Sequence, residues 1–176
     1  MAIGAGATEA NIDTTTRALD LSKDLLRGPL QSQLQSCASG PFYSTDFSIA
    51  HRGAPLGYPE HSREGYIAAA TQGAGVIECD VTFTKDLELV CRHSQCDLAT
   101  STNILQTELA ASCRVPFTAA TNNSTANAQC CTSDITLKEF KTLCARPDRR
   151  NPQANTVAEY LAPLQSPVVD SPMSCG

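Results

Sequence analysis

A strand–helix–strand pattern between Phe47 and Val81 constrains the fold more than any other feature of this chain. Phe47-Ser48-Ile49-Ala50 is a short run with strand character, followed by a Gly/Pro-rich loop from Gly53 to Pro59. Ser62 is a good N-cap for a helix over Arg63 to Gln72, and Gly73 stands just past its end. Val76 to Val81 then reads as a second strand. Strands joined by a crossover helix of this kind run parallel, which predicts an α/β architecture. In an α/β barrel the reactive groups gather where strands end and the following loops begin.

Groups suited to acid–base or metal chemistry fall at those places. His51 ends the first run, and Glu78 and Asp80 sit two apart in the second. The strand period of two puts both carboxylates on one face, with Ile77, Cys79 and Val81 on the other. Paired carboxylates resist desolvation unless a cation or a cationic side chain lies between them. Hard oxygen pairs suit Mg²⁺ or Ca²⁺. Taken alone, the pair describes two surface acids on a solvated edge strand equally well. A hairpin turning at Thr84-Lys85-Asp86-Leu87 shifts that balance. It sets Thr84 opposite Leu87, Thr82 opposite Leu89, Asp80 opposite Cys91 and Glu78 opposite His93. His93, after the third run Leu87 to Cys91, thereby returns to the level of the carboxylates. A slip of one residue would turn it away.

The composition is that of a globular chain, 41% hydrophobic and 18% charged over 176 residues. A net charge of −5 with no basic stripe excludes an ordinary nucleic-acid surface. The anomaly is nine cysteines without a C-x-x-C pair. These read as a disulfide framework formed in an oxidising compartment. Overlapping glycosylation sequons at Asn122 and Asn123 agree. Cys79 is expected to be the unpaired thiol, packed on the strand face opposite the carboxylates. Met1 to Gln35 lacks the apolar core of a signal peptide, and no run approaches the ~20 apolar residues of a membrane span. The expectation is an extracellular protein whose N-terminal signal is missing from this sequence.

Thr14 to Leu26 can form an amphipathic packing helix that Gly28-Pro29 stops. From Ser94 to about Asn155 the chain is irregular, polar and rich in cysteine. A short helix is expected at Thr136 to Cys144, capped by Asp134 or Thr136. This stretch is too long for an ordinary βα connection, and its few apolar residues call for covalent bridges to hold it.

His51-Arg52-Gly53, Pro59-Glu60-His61-Ser62, Glu78-Cys79-Asp80-Val81, Thr84-Lys85-Asp86 and His93-Ser94 occur in this order. Together they resemble the glycerophosphodiester phosphodiesterase family, in particular its secreted, cysteine-rich members. The family's pattern is His-Arg-Gly, Pro-Glu-Asn-Thr, Glu-x-Asp-Val with Thr-Lys-Asp-Gly, then His-Asp. This chain departs from it at His61, Ser62, Leu87 and Ser94, and the loss of the turn glycine at Leu87 bears on the tightness of the hairpin. The resemblance implies hydrolysis of small-molecule glycerophosphodiesters to glycerol 3-phosphate and an alcohol. His51 and His93 would be the acid–base pair, Arg52 the phosphate clamp, and Glu78 and Asp80 the ligands of a divalent cation, Mg²⁺ or Ca²⁺. His61 is left as either a surface residue or a phosphate contact, and Glu60 as a residue that holds its loop by hydrogen bonds.

It also implies the N-terminal part of a TIM barrel of the phospholipase-C-like type, with residues 94–155 as a cysteine-rich insertion. Residues 1–36 would be a lead-in and residues 37–176 a partial catalytic domain. Thr156 to Leu161 would return the chain to the barrel. A third acidic ligand would come after Gly176, because Glu139-Phe140-Lys141 reads better as a salt-bridged surface helix than as the family's Glu-x-Lys. A full barrel takes ~200 residues or more, so the expectation is an incomplete one, inactive alone. The alternatives are a sphingomyelinase-D-like lipid lyase with a similar two-His, two-acid site, or an inactive module. The sequence leaves the oligomeric state open.

Overall fold

β1 (Thr45–Ala50) and β2 (Ala74–Ile77) pair in parallel in a computed structural model that describes residues 21–54 and 57–162. Between them lies a helix, α2 (Arg63–Thr71), so the expected strand–helix–strand unit forms. Ser62 caps α2, its Oγ accepting from Gly65 N at 3.1 Å, and Gly73 follows with φ 83°. Gly75 allows the strands to meet, since a Cβ there would lie 1.9 Å from the carbonyl oxygen of Thr45. Ahead of this unit, α1 (Pro29–Ser36) begins at the proline that was expected only to end a helix. Proline is favoured in that position because its missing N–H would be unpaired in any first turn. Of the helix expected over Thr14 to Leu26, residues 14–20 lie outside the described residues. Residues 21–23 are helical, while Leu25 and Leu26 are not.

Val76 to Val81 is not one strand. β2 ends at Ile77, the chain bends through Glu78, Cys79 and Asp80, and β3 (Val81–Phe83) begins a hairpin with β4 (Leu89–Cys91). The register pairs Val81 with Cys91, Thr82 with Val90 and Phe83 with Leu89. This is one residue away from the expected register. The reason is the turn. Thr84 N donates to Glu88 O and Leu87 N to Thr84 O, which leaves Lys85, Asp86 and Leu87 as a three-residue loop. Such loops end on a left-handed residue, and Leu87 takes that role at φ 64° without a glycine.

The same slip corrects the expectation for Cys79, which is bonded to Cys91 with a Cα–Cα distance of 5.6 Å. Cys91 faces Val81, and Cys79 is two residues before Val81 and so lies on its side of the hairpin. That makes the two cysteines diagonal neighbours within bridging reach. Cys96–Cys131 and Cys113–Cys130 are also bridged, and Cys144 is disulfide-bonded. Cys37 is the free, exposed thiol among the described residues.

The hydrophobic core lies in the segment expected to have too little to bury. It joins Leu98, Ile104, Leu105, Ile135, Leu143, Tyr160 and Leu161 to small residues such as Ala99, Ala126, Ala128 and Ala154 and to Cys113 and Cys130. The antiparallel pair β5 (Val115–Thr118) and β6 (Asn127–Gln129) covers one side, with Phe117 edge-on to Tyr160 at 5.4 Å. Short helices α3 (Leu98–Ser101), α4 (Leu137–Phe140) and α5 (Val157–Leu161) complete it. α4 is shorter than expected and is closed by a capping box between Thr136 and Glu139. Glu139 spends its Oε2 there, accepting from Thr136 N at 2.7 Å and Thr136 Oγ1 at 2.9 Å. A cap, rather than the expected salt bridge, explains this acid.

Hydrogen bonds dock the hairpin on this unit. Thr132 Oγ1 and Gln95 Nε2 donate to Phe83 O, Lys85 N to Ile135 O, and Leu137 N to Asp86 Oδ1. In contrast, the parallel unit buries little. Phe47 is 94% exposed, Ile49 62% and Ile67 54%. Among the described residues the sheets are three separate two-stranded pairs, with no closed barrel, and no helix is long and apolar enough to cross a membrane.

Candidate active site

The site forms where β1 and β2 both reach their C-terminal ends. Glu78 N donates to Ala50 O at 3.1 Å, which extends the parallel pairing by one step and brings the acidic segment beside the loop after β1. That loop turns sharply. Arg52 has φ 59°, Gly53 φ 93° and His61 φ 55°. A non-glycine residue in this region costs on the order of 1–3 kcal/mol and persists where its surroundings hold it. Arg52 N donates to Glu78 Oε2 at 2.9 Å, and His61 N donates to Arg52 O at 3.1 Å. Gly53 is needed for another reason as well, because a Cβ there would press to 3.1 Å on the backbone of Gly65 in α2.

Arg52 is the centre of the arrangement. Its Nη1 pairs with Glu60 Oε2 at 2.9 Å and its Nε with Asp80 Oδ2 at 3.2 Å. The second contact is a close ion pair whose geometry falls short of a hydrogen bond. Burial works against the Arg52 charge. The hydrogen bond to Glu60 and the fields of Glu60, Asp80 and Glu78 outweigh it, and the pKa lies above the ordinary arginine value. Arg52 is thus the cationic side chain that lets Glu78 and Asp80 share one place.

His61 completes the cluster. Its side chain is fully buried, with Nε2 3.2 Å from Asp80 Oδ2 and Nδ1 2.8 Å from Tyr66 Oη on α2. Burial first, then the nearby Arg92 charge, lower its pKa, although Asp80 and Glu60 pull the other way. Burial, followed by the field of Glu78, pushes the Tyr66 hydroxyl up to about 12. Arg92 is itself buried and forms a two-pronged pair with Asp97, Nε to Oδ1 at 3.3 Å and Nη2 to Oδ2 at 3.1 Å. This pair ties β4 to the start of α3.

Residues 51–169 match the family model described as the glycerophosphoryl diester phosphodiesterase family. The chain belongs to this family. A probable glycerophosphodiester phosphodiesterase 1 of Mycobacterium tuberculosis is 47% identical over 49 residues, covering 28% of this chain and 18% of that protein. Glycerophosphodiester phosphodiesterase GDPD6 of Arabidopsis thaliana is 31% identical over 127 residues, covering 63% of this chain and 33% of that protein. The chain therefore spans a third or less of the length of these relatives.

Three of the five residues singled out from the sequence, Arg52, Glu78 and Asp80, stand together in this family member. His51 and His93 are exposed and enter none of the side-chain hydrogen bonds of the cluster. His51 lines an open cleft of about 360 Å³ between β1 and α2, together with Ser48, Ala54, Ala69 and Gln72. The observed register sets Arg92 N on Asp80 O at 3.0 Å, so His93 comes level with Cys79 rather than Glu78. Glu60 plays the hydrogen-bonding part expected of it. His61 is not the surface residue that the sequence allowed; its ring is buried, with Tyr66 and Asp80 as the partners of its two nitrogens. The signal that could have marked it is the Pro59-Glu60 pair before it, since Glu60 and His61 together reach both Arg52 and Asp80 from one turn.

Enzymes of this family typically depend on a divalent metal. Glu78 and Asp80 are hard oxygen donors, and each keeps one carboxylate oxygen, Oε1 and Oδ1, outside the hydrogen bonds and ion pairs of the described residues. Among those residues no group of three or more His, Cys, Asp or Glu side chains is arranged around an ion. The donor chemistry fits a hard cation that draws its remaining ligands from water or from other groups.

Proposed function

We propose that this chain contributes to a catalytic site that hydrolyses glycerophosphodiesters to glycerol 3-phosphate and an alcohol. The observation that carries this reading is the Arg52 cluster at the C-terminal ends of two parallel strands, the end where α/β enzymes build their sites. The family membership and the names of the relatives support the same chemistry.

Glu78 and Asp80 would hold the cation, Mg²⁺ or Ca²⁺, through Oε1 and Oδ1. When bound, the cation offsets charge that gathers on the phosphoryl oxygens. Arg52 presents its remaining nitrogen, Nη2, which has no partner among the described residues, to an anionic phosphoryl oxygen. Glu60 keeps the guanidinium aimed, since it holds Nη1. The family pattern makes His51 and His93 the acid–base pair, although the observed register sets His93 level with Cys79 rather than with Glu78. One takes a proton from the attacking water as the new P–O bond forms. The other gives a proton to the leaving alkoxide as the old P–O bond breaks. Their exposure leaves both imidazoles reachable by substrate.

The exposed apolar faces of β1 and α2 are consistent with barrel elements that other strands and helices cover. On this reading residues 37–176 belong to a TIM barrel, residues 1–36 precede it, and residues 94–155 are an insertion stapled by disulfides. The disulfides fit an oxidising, extracellular setting, with glycans at the exposed Asn122 and Asn123 turn.

The test is turnover of glycerophosphocholine by the full-length protein and by its His51→Ala and His93→Ala variants. Each variant should lose about 10²–10⁴-fold in rate. Wild-type turnover in either variant would remove that histidine from the mechanism. A cyclic phosphate as the end product would move the chain to the lyase reading.

A further inference from the structure

His61 enters none of the roles above, yet it is the most enclosed side chain of the cluster. Its backbone is in the left-handed region, pinned by the hydrogen bond to Arg52 O. Its ring lies between two polar groups and touches both, Tyr66 Oη at 2.8 Å and Asp80 Oδ2 at 3.2 Å. The polarity of this chain follows from the groups themselves. A carboxylate only accepts, so Nε2 carries the imidazole proton and donates it to Asp80. In the neutral imidazole Nδ1 is then the acceptor, and the Tyr66 hydroxyl donates to it. Tyr66 is anchored in α2, whose first turn is fixed by the Ser62 cap.

The consequence falls on Asp80. Oδ2 is engaged twice, by His61 Nε2 and by Arg52 Nε, both at 3.2 Å. Oδ1 meets neither. The carboxylate is therefore held by one oxygen, and the other enters no hydrogen bond or ion pair among the described residues. A buried histidine that only filled space would need no particular acceptor. This one grips an acid at the C-terminal end of the sheet and leaves that acid's second oxygen available.

We propose that His61, aimed by Tyr66, is a positioning residue that fixes the Asp80 carboxylate so that Oδ1 is the oxygen offered to a divalent cation. This rests on the reading of Asp80 as a cation ligand. Groups that orient a ligand through hydrogen bonds typically contribute about 10–100-fold to metal affinity.

The experiment titrates calcium, then magnesium, alone into the full-length protein by calorimetry, and records the melting temperature of the metal-free state of each variant. His61→Phe should weaken binding about 10–100-fold. His61→Gln, whose amide N–H can reach the place of Nε2, should restore most of the affinity. Tyr66→Phe keeps the ring and the helix but removes the donor behind Nδ1. It should weaken binding at a melting temperature close to wild type, and it decides the matter if His61→Phe does not fold. Wild-type affinity in Tyr66→Phe and His61→Phe, or a His61→Gln variant no better than His61→Phe, would overturn the proposal. Asp80→Asn separates the layers. If it binds metal as wild type does, the ligand reading fails and takes this proposal with it. If it loses metal while the His61 and Tyr66 variants do not, only the positioning role fails.

Discussion

Removing the Cys79–Cys91 bridge should cost stability in a way that the structure allows to be worked out. The bridge closes a loop of 12 residues in sequence separation and spans the β3–β4 hairpin. Both cysteines are only half-buried, so replacing them by alanine loses little packing. What remains is the chain entropy that the bridge withholds from the unfolded state, about 3 kcal/mol at 25 °C for a loop of this size. Urea unfolding of the oxidised full-length protein reads this directly. With a denaturant slope near 2 kcal/mol/M, the midpoint of the Cys79→Ala, Cys91→Ala double variant should fall by about 1.5 M. The pair Cys113–Cys130 is the control. Its separation of 17 gives a similar entropic share, but Cys113 is 8% and Cys130 1% exposed. Its removal adds a packing loss in the core and should cost more. A Cys79/Cys91 variant that unfolds within about 0.3 M of wild type would refute the loop argument. So would one that is less stable than the Cys113/Cys130 variant.

Further outcomes follow from single contacts. Ser62→Ala loses the cap on Gly65 N and should lower stability by about 1 kcal/mol, read as a lower melting temperature. Arg52→Lys keeps the charge but cannot hold Glu60 and Asp80 while presenting a third nitrogen. Losing one charged hydrogen bond should lower kcat/KM by roughly 10–100-fold, and an unchanged value would remove Arg52 from the site. Asp86 lies below its ordinary pKa of 3.8, held first by the Thr84 hydroxyl and then by Leu137 N. A depressed pKa means the folded state binds this proton less readily than the unfolded state. The stability from Asp86 is therefore complete above its ordinary pKa and is lost as pH falls through the lowered one. Melting curves between pH 6 and pH 2 should be flatter at the acid end for Asp86→Asn than for wild type, and curves of equal slope would rule Asp86 out.

How far the sequence discloses this molecule depends on whether a signal is local. Ser62, Gly73 and Thr136 act within one turn of their own helix, and each caps or ends the element expected of it. Arg52, Glu78 and Asp80 meet because a strand–helix–strand unit leaves little freedom over where its strand ends go. The hairpin register was not legible, because Leu87 accepts a left-handed conformation where the pattern called for glycine. That one-residue slip carried Cys79 and His93 with it. The core was hidden for a different reason. Ala99, Ala126, Ala128, Ala154 and the bridged cysteines contribute to it without any apolar period, on or between elements of three to five residues. His61 was missed because its burial depends on Tyr66 and Asp80, five and nineteen residues away, closing over it.

The central claim is that the cluster around Arg52 is a metal-assisted phosphodiester site. Phosphorus NMR of glycerophosphocholine incubated with the full-length protein tests it most directly, using wild type, wild type with chelator, and the Glu78→Ala and Asp80→Ala variants. The account predicts glycerol 3-phosphate from the wild type with Mg²⁺ or Ca²⁺, and an unchanged diester signal in the other three samples. Glycerol 3-phosphate formed at the wild-type rate by either variant, or in the presence of chelator, would contradict it.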